Sequence, residues 1–150
     1  MQVVLQRVRR AAVSVDGEVV GAVGLGLVAL VGVGHRSTED DARWLADKTV
    51  ALRLFADAAG RMNRSVAEVG GGVLAISQFT LYGDASRGRR PSFVAAADPD
   101  RGRRLYERYC DALTVPTGRG VFGAMMAIEM LADGPVTLAL RRESGAGRTA

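Results

Sequence analysis

The sequence predicts a single domain of mixed helix and strand, weighted toward strand, and three observations carry that expectation. The first third is built of Val-rich apolar segments broken by a tight Asp16-Gly17 turn signal. Two later stretches, near 38 to 53 and 98 to 113, open with helix-start residues and continue with apolar positions in helical rhythm. A length of 150 residues, with 48% hydrophobic and 24% charged side chains, suits one self-sufficient core. No internal repeat and no shift of composition marks a linker, so one domain over 1–150 is expected. Aromatic residues are only 5% of the chain, which leaves the core to Val, Leu and Ala.

In chain order, residues 2 to 8 read as a strand, and Ala12–Val15 with Glu18–Gly21 read as a hairpin about Asp16-Gly17. Gly26–Val33 is a continuous apolar run, too short to cross a membrane and Val-rich enough for a buried strand. Ser37 or Thr38 caps an acidic first turn, Glu39-Asp40-Asp41, and a helix follows near 38 to 53. Ala58-Ala59-Gly60 and Gly70-Gly71-Gly72 are turns, the second leading into a strand over Val73–Phe79. Between Tyr82 and Pro99 the composition is that of a loop, rich in Gly, Ser and Arg, and loops of that length are more often functional than idle. Asp98-Pro99-Asp100 starts a helix running to about Leu113, and 116–120 ends the connection. Gly123–Leu131 and Val136–Leu140 read as two strands joined through Asp133-Gly134, and the polar tail after Arg141 reads as frayed.

The inventory excludes much conventional chemistry. The single histidine, His35, lies in a loop without a Gly-x-Ser-x-Gly elbow, so a Ser-His-Asp triad has little to recruit. One histidine and one cysteine cannot supply a zinc site, and no metal or other cofactor is expected. Lys48 is the sole lysine and falls within a predicted helix, so there is no phosphate loop. Cys110, alone and in a helical setting, reads as a packed thiol in a reducing compartment. No secretory signal and no membrane span is legible, and the cytoplasm is the expected location. The formal charge of +4, its basic residues almost all Arg, allows a polyanionic partner such as RNA, but the excess is modest and coding bias is the plainer account of the arginines. An enzyme with this inventory must work through backbone groups, hydroxyls or the substrate itself.

Two short stretches stand out. Ser77-Gln78-Phe79-Thr80 brings hydroxyl and amide groups to the end of an apolar strand, and Gly134-Pro135-Val136-Thr137 carries a Gly-Pro bond whose backbone can approach a ligand where a Cβ would collide. Taken alone, the hydroxyls could serve only to satisfy strand-end backbone and Gly-Pro could be an ordinary turn. Together they resemble the two signature motifs of the D-aminoacyl-tRNA deacylases. The resemblance extends through Val4–Val8, Asp16-Gly17-Glu18, Leu52–Phe55, Met62-Asn63, Gly88–Phe93 and Gly120–Met126, in one order over about residues 1 to 140.

That resemblance implies an α+β fold of the deacylase type, a β-rich barrel-like sheet with packed helices, assembled as a homodimer. It implies hydrolysis of the ester between a D-amino acid, or mischarged glycine, and the terminal adenosine of tRNA, a chiral proofreading step in translation quality control. Ser77, Gln78, Phe79 and Thr80 are the implied catalytic residues. Gly134, Pro135, Val136 and Thr137, with a cis Gly-Pro bond entering the partner subunit's pocket, are the implied chiral selectors, and Arg7 is placed near them. The 2′-hydroxyl of the terminal ribose is preferred over Thr80 as the assisting group, since no base is at hand to activate a threonine. Two positions depart from the family pattern: Ala132 stands where Asn is common and Met125 where an acidic residue is common. The Arg87, Arg89 and Arg90 cluster reads equally as phosphate contacts or as a solvated loop. Two rival functions are a non-catalytic RNA-binding module and an esterase for another small acyl substrate.

Overall fold

The computed structural model describes residues 1–144. Its first strand, β1 (Gln2–Val15), is one piece, because Arg9 and Arg10 lie exposed along it instead of interrupting it. The turn into β2 (Glu18–Val23) places Asp16 at φ 49° and Gly17 at φ 83°, the paired positive φ that a two-residue hairpin requires. β3 (Gly26–Gly32) is buried at all but one position. α1 (Glu39–Ala51) begins at a capping box in which the Thr38 hydroxyl accepts from Asp41 N and the Asp41 carboxylate accepts from Thr38 N, so Thr38 and not Ser37 is the cap. A small hairpin, β4 (Phe55–Ala56) and β5 (Met62–Arg64), encloses the turn at Gly60. β6 (Gly72–Ser77) then runs parallel to β3, α2 (Pro99–Ala112) starts at the Asp98 cap, β7 (Thr117–Arg119) runs parallel to β6, and β8 (Ala127–Arg141) closes the chain.

These strands form a nearly closed, barrel-like sheet. One edge of β1 pairs with β3 through residues 2–8 and with β2 through 11–15, while its other edge carries β8. The gap between β2 and β7 is drawn shut by two glycines: a Cβ on Gly21 would lie 2.6 Å from the Arg119 carbonyl, and one on Gly118 would lie 2.7 Å from that of Ala22. Because β3 and β6 are covered on both sides, their side chains divide by alternation between two cores. Leu27, Ala29, Val31, Val73 and Ala75 face the helices, where they meet Leu45, Leu105 and Tyr109; Val28, Leu74 and Ile76 turn the other way, toward Val8, Ala11 and Val13. Each fully buried Leu or Val contributes about 1.5–3 kcal/mol through removal from water. Between the helices, the buried Tyr109 hydroxyl meets the Thr49 hydroxyl at 2.9 Å. Cys110 is buried as expected, and burial pushes its thiol up to about 11.

Three expectations are corrected. The strand over Val73–Phe79 ends at Ser77, and Phe79–Tyr82 form a turn of 3-10 helix. The two C-terminal strands are one strand, β8, since both halves pair with the same neighbour, while 123–126 are turn and irregular chain. The segment after Arg141 is docked as far as it is described; the rest of the predicted frayed tail, 145–150, lies outside the described residues. Ser144 N and Oγ both donate to the buried Asp41 carboxylate at 3.0 and 2.7 Å. Tyr82 donates to Glu143 at 3.0 Å, and Met1 N meets the Arg142 carbonyl. Burial opposes ionisation of both acids, but hydrogen bonds to Asp41 from Ser144 and Thr38, and to Glu143 from Tyr82 and Arg141, hold both below their ordinary range.

Candidate active site

The end of β6 opens into a cavity of about 650 Å³, within the range of small-molecule sites. Ser77, Gln78 and Phe79 form one wall, Phe93 and Ala97 a second, and Phe122 with Met125 and Met126 a third. Three of the chain's four phenylalanines therefore meet at one place. The Phe79 and Phe93 rings meet edge to face with centroids 5.2 Å apart, a favoured aromatic geometry. A second depression of about 480 Å³, between β2 and β8, holds none of the predicted residues.

None of the residues lining the larger cavity is titratable, so its chemistry rests on Ser77, Gln78 and main-chain groups. The backbone departs from strand at Gln78, whose N–H donates to Val31 O at 2.8 Å, and the 3-10 turn begins beyond it. The first N–H groups of such a turn have no partner within it. Here they are those of Phe79 and Thr80, which find no backbone acceptor among the described residues. The Thr80 hydroxyl accepts from Gln78 Nε2, and Thr80 is exposed beside the cavity without lining it. Beneath the turn, burial pushes the Tyr82 hydroxyl up to about 12, so it stays protonated and donates to Glu143. His35 is elsewhere, its Nε2 2.6 Å from the carbonyl of Val94. No group of three or more His, Cys, Asp or Glu suited to a metal occurs among the described residues.

The second motif lies apart from this cavity within the chain. Along β8, Thr137 pairs with Gln6 and Ala132 with Val8, so residues 133–136 all stand opposite the single residue Arg7. The surplus chain bulges from the ladder. Gly134-Pro135 is cis at its apex, Gly134 has φ +137°, and a Cβ there would lie 2.6 Å from Val136 N. Arg7 fastens the base: its Nε is 3.2 Å from the Asp133 carbonyl and 3.2 Å from its carboxylate, and Nη1 donates to Leu54 O at 2.6 Å. Gly134, Pro135 and Thr137 are exposed, and only Val136 of the motif packs against the core. The structure thus gathers Ser77, Gln78 and Phe79, sets Thr80 at their edge, and gathers Arg7 with Gly134-Pro135 separately. Phe93, Phe122 and Met126 were not singled out from the sequence as site residues; the scarcity of aromatics was the available signal.

Comparison with known proteins first fixes the class. A solved structure titled c-Myc DNA Unwinding Element Binding Protein superposes with a TM-score of 0.89 at 33% identity, covering 95% of this chain and 99% of that one. D-aminoacyl-tRNA deacylases from Geobacter sulfurreducens and Deinococcus radiodurans are 51% and 55% identical, covering 99% and 93% of this chain and 100% and 99% of theirs. These relatives define a hydrolase. The family described as D-Tyr-tRNA(Tyr) deacylase matches residues 4–141, and the chain belongs to it.

Proposed function

We propose that the chain hydrolyses the ester joining a D-amino acid to the terminal adenosine of tRNA, as a homodimer in which each subunit's Gly134-Pro135 motif enters the other's cavity. One observation carries this reading: the cavity that holds Ser77, Gln78 and Phe79 lacks the second motif, which protrudes, exposed, from a different part of the same chain. A second copy supplies the missing wall. Backbone carbonyls of the motif then accept from the substrate's amino group, and an L side chain is driven into the motif, so chirality is decided by exclusion. Glycine, with no side chain to exclude, is hydrolysed as well. The expected setting is the cytoplasmic pool of charged tRNA.

In the chemical step, the unpartnered N–H groups of Phe79 and Thr80 meet the oxyanion as it forms. The wall offers no base to activate Thr80, and the threonine hydroxyl is already engaged by Gln78. The 2′-hydroxyl of the terminal ribose is the assisting group. Following ester loss from D- and L-tyrosyl-tRNA tests the assignment: D-substrate is cleaved and L-substrate spared. Equal rates for both, or no cleavage of either, would overturn it.

A further inference from the structure

The loop that follows the 3-10 turn at Tyr82 and reaches the cavity wall at Phe93 is a hairpin. Asp84 and Ser92 exchange main-chain hydrogen bonds of 2.8 and 2.9 Å, the Asp84 carboxylate accepts from Ser86 N, and Gly88 makes the turn at φ +67°. Arg87, Arg89 and Arg90 stand exposed around that turn. Of the fifteen other described arginines, eight have a carboxylate within 4.0 Å: Arg7, Arg9, Arg36, Arg43, Arg108, Arg119, Arg141 and Arg142. Among the described residues, none of the three hairpin arginines has one. The only acid in the hairpin, Asp84, is occupied by Ser86, whose side chain and N–H hold it below its ordinary range.

The hairpin is fixed to the cavity through its returning stem. Phe93, its returning end, packs on Phe79, and a Cβ on Gly83 would already come within 2.9 Å of the Phe93 ring. Arg90 and Arg87 are three and six residues from Phe93, which lines the cavity, and a fully extended chain covers at most ~3.6 Å per residue, so their backbones lie within about 11 and about 22 Å of the cavity wall. We propose that Arg87, Arg89 and Arg90 form a phosphate grip for the RNA strand whose terminal adenosine occupies the cavity, engaging the nucleotides that precede it. Guanidinium forks match phosphate oxygens two at a time, and three unmatched forks at a substrate cavity's rim present the complement of a polyanion's backbone. This inference rests on the deacylase reading for the strand's orientation, while the grip itself is testable without catalysis.

The test is binding of uncharged tRNA across a salt series by the unmodified protein, by the Arg87→Gln/Arg89→Gln/Arg90→Gln variant, and by an Arg53→Gln/Arg61→Gln/Arg104→Gln variant that removes equal charge from other exposed positions. Each phosphate contact contributes roughly 0.7 to 0.9 to the slope of log K against log salt. The hairpin variant should lose about 2 to 3 units of slope and at least about tenfold in affinity at low salt, and the control variant less than about one unit. Each single hairpin substitution, which cannot disturb a core it does not touch, should remove under about one unit. An unchanged slope in the hairpin variant, or an equal loss in the control, would overturn the grip. D-tyrosyl-tRNA hydrolysis by the unmodified protein, followed alongside, separates the two claims. Slope loss without any hydrolysis defeats the deacylase reading and keeps the grip, whereas hydrolysis with an unchanged slope defeats the grip alone.

Discussion

Replacing Gly134 by Ala tests whether a single backbone position selects the substrate's hand. At φ +137° an L-residue is held in a region that only glycine occupies freely, which costs of order 1–3 kcal/mol. The added methyl would also sit 2.6 Å from Val136 N and 2.9 Å from Val136 Cγ2, so the peptide on one side of residue 134 has to rotate away. The pairing of β8 with β1 on either side of the bulge is not touched, and the loss should stay local. For a chain of this size each kcal/mol lowers the melting temperature by about 2–4 °C, so a fall of about 2–12 °C is expected. A displaced motif no longer blocks the L side chain, and the ratio of D- to L-tyrosyl-tRNA hydrolysis should fall at least tenfold, equivalent to about 1.4 kcal/mol. Gly60→Ala is the comparison: φ is +76° there, but a Cβ meets nothing within 4 Å. It should lose about 1–2 kcal/mol of stability and none of the discrimination. Discrimination left intact in Gly134→Ala, with the expected loss of stability present, would refute the assignment of chiral selection to this backbone.

Three further outcomes are expected. Thr80→Val should keep hydrolysis within about tenfold of the unmodified rate, a loss of no more than ~1.4 kcal/mol; abolished turnover with tRNA binding and thermal stability intact would make Thr80 the nucleophile. Tyr109→Phe removes the buried bond to Thr49 and should cost about 0.5–1.5 kcal/mol in denaturant unfolding, with catalysis unaffected. Asp41 and Glu143 are held below their ordinary values of 3.8 and 4.5, so the stability they contribute is fully present above those values and is lost as pH falls through their lower, folded-state values. Unfolding followed from pH 6 to 2 should show that acid-side slope, and it should flatten in Glu143→Gln.

Much of the fold was legible because its signals are local. Asp16-Gly17, Thr38 and Asp98 each act on the chain within a few residues of themselves, and the structure places a turn or a helix start at every one. The errors came where partners distant in sequence decide the outcome. Nothing near 133 reveals that both flanks of the Gly-Pro motif pair with one long β1, so a joint between two strands was expected where a bulge occurs. Likewise Glu143 and Ser144 look like a loose tail until Tyr82 and Asp41 are brought beside them. The candidate site divides in the same way. Ser77, Gln78 and Phe79 are adjacent in sequence and were found together, whereas Phe93 and Phe122 reach the cavity through tertiary packing.

The bulge at 133–136 also bears on how this site can change over generations. From its last residue onward, Val136, Leu138 and Leu140 alternate inward onto the core while Thr137 and Ala139 alternate outward. A gain or loss of one residue in the motif would either be absorbed by the bulge, altering its reach, or reverse that alternation along the rest of β8 and turn three apolar side chains to water. The length of the segment proposed to select the substrate's hand is thereby locked to the fold. Point substitution is the open route to a different specificity, and at Gly134 even that route is nearly closed.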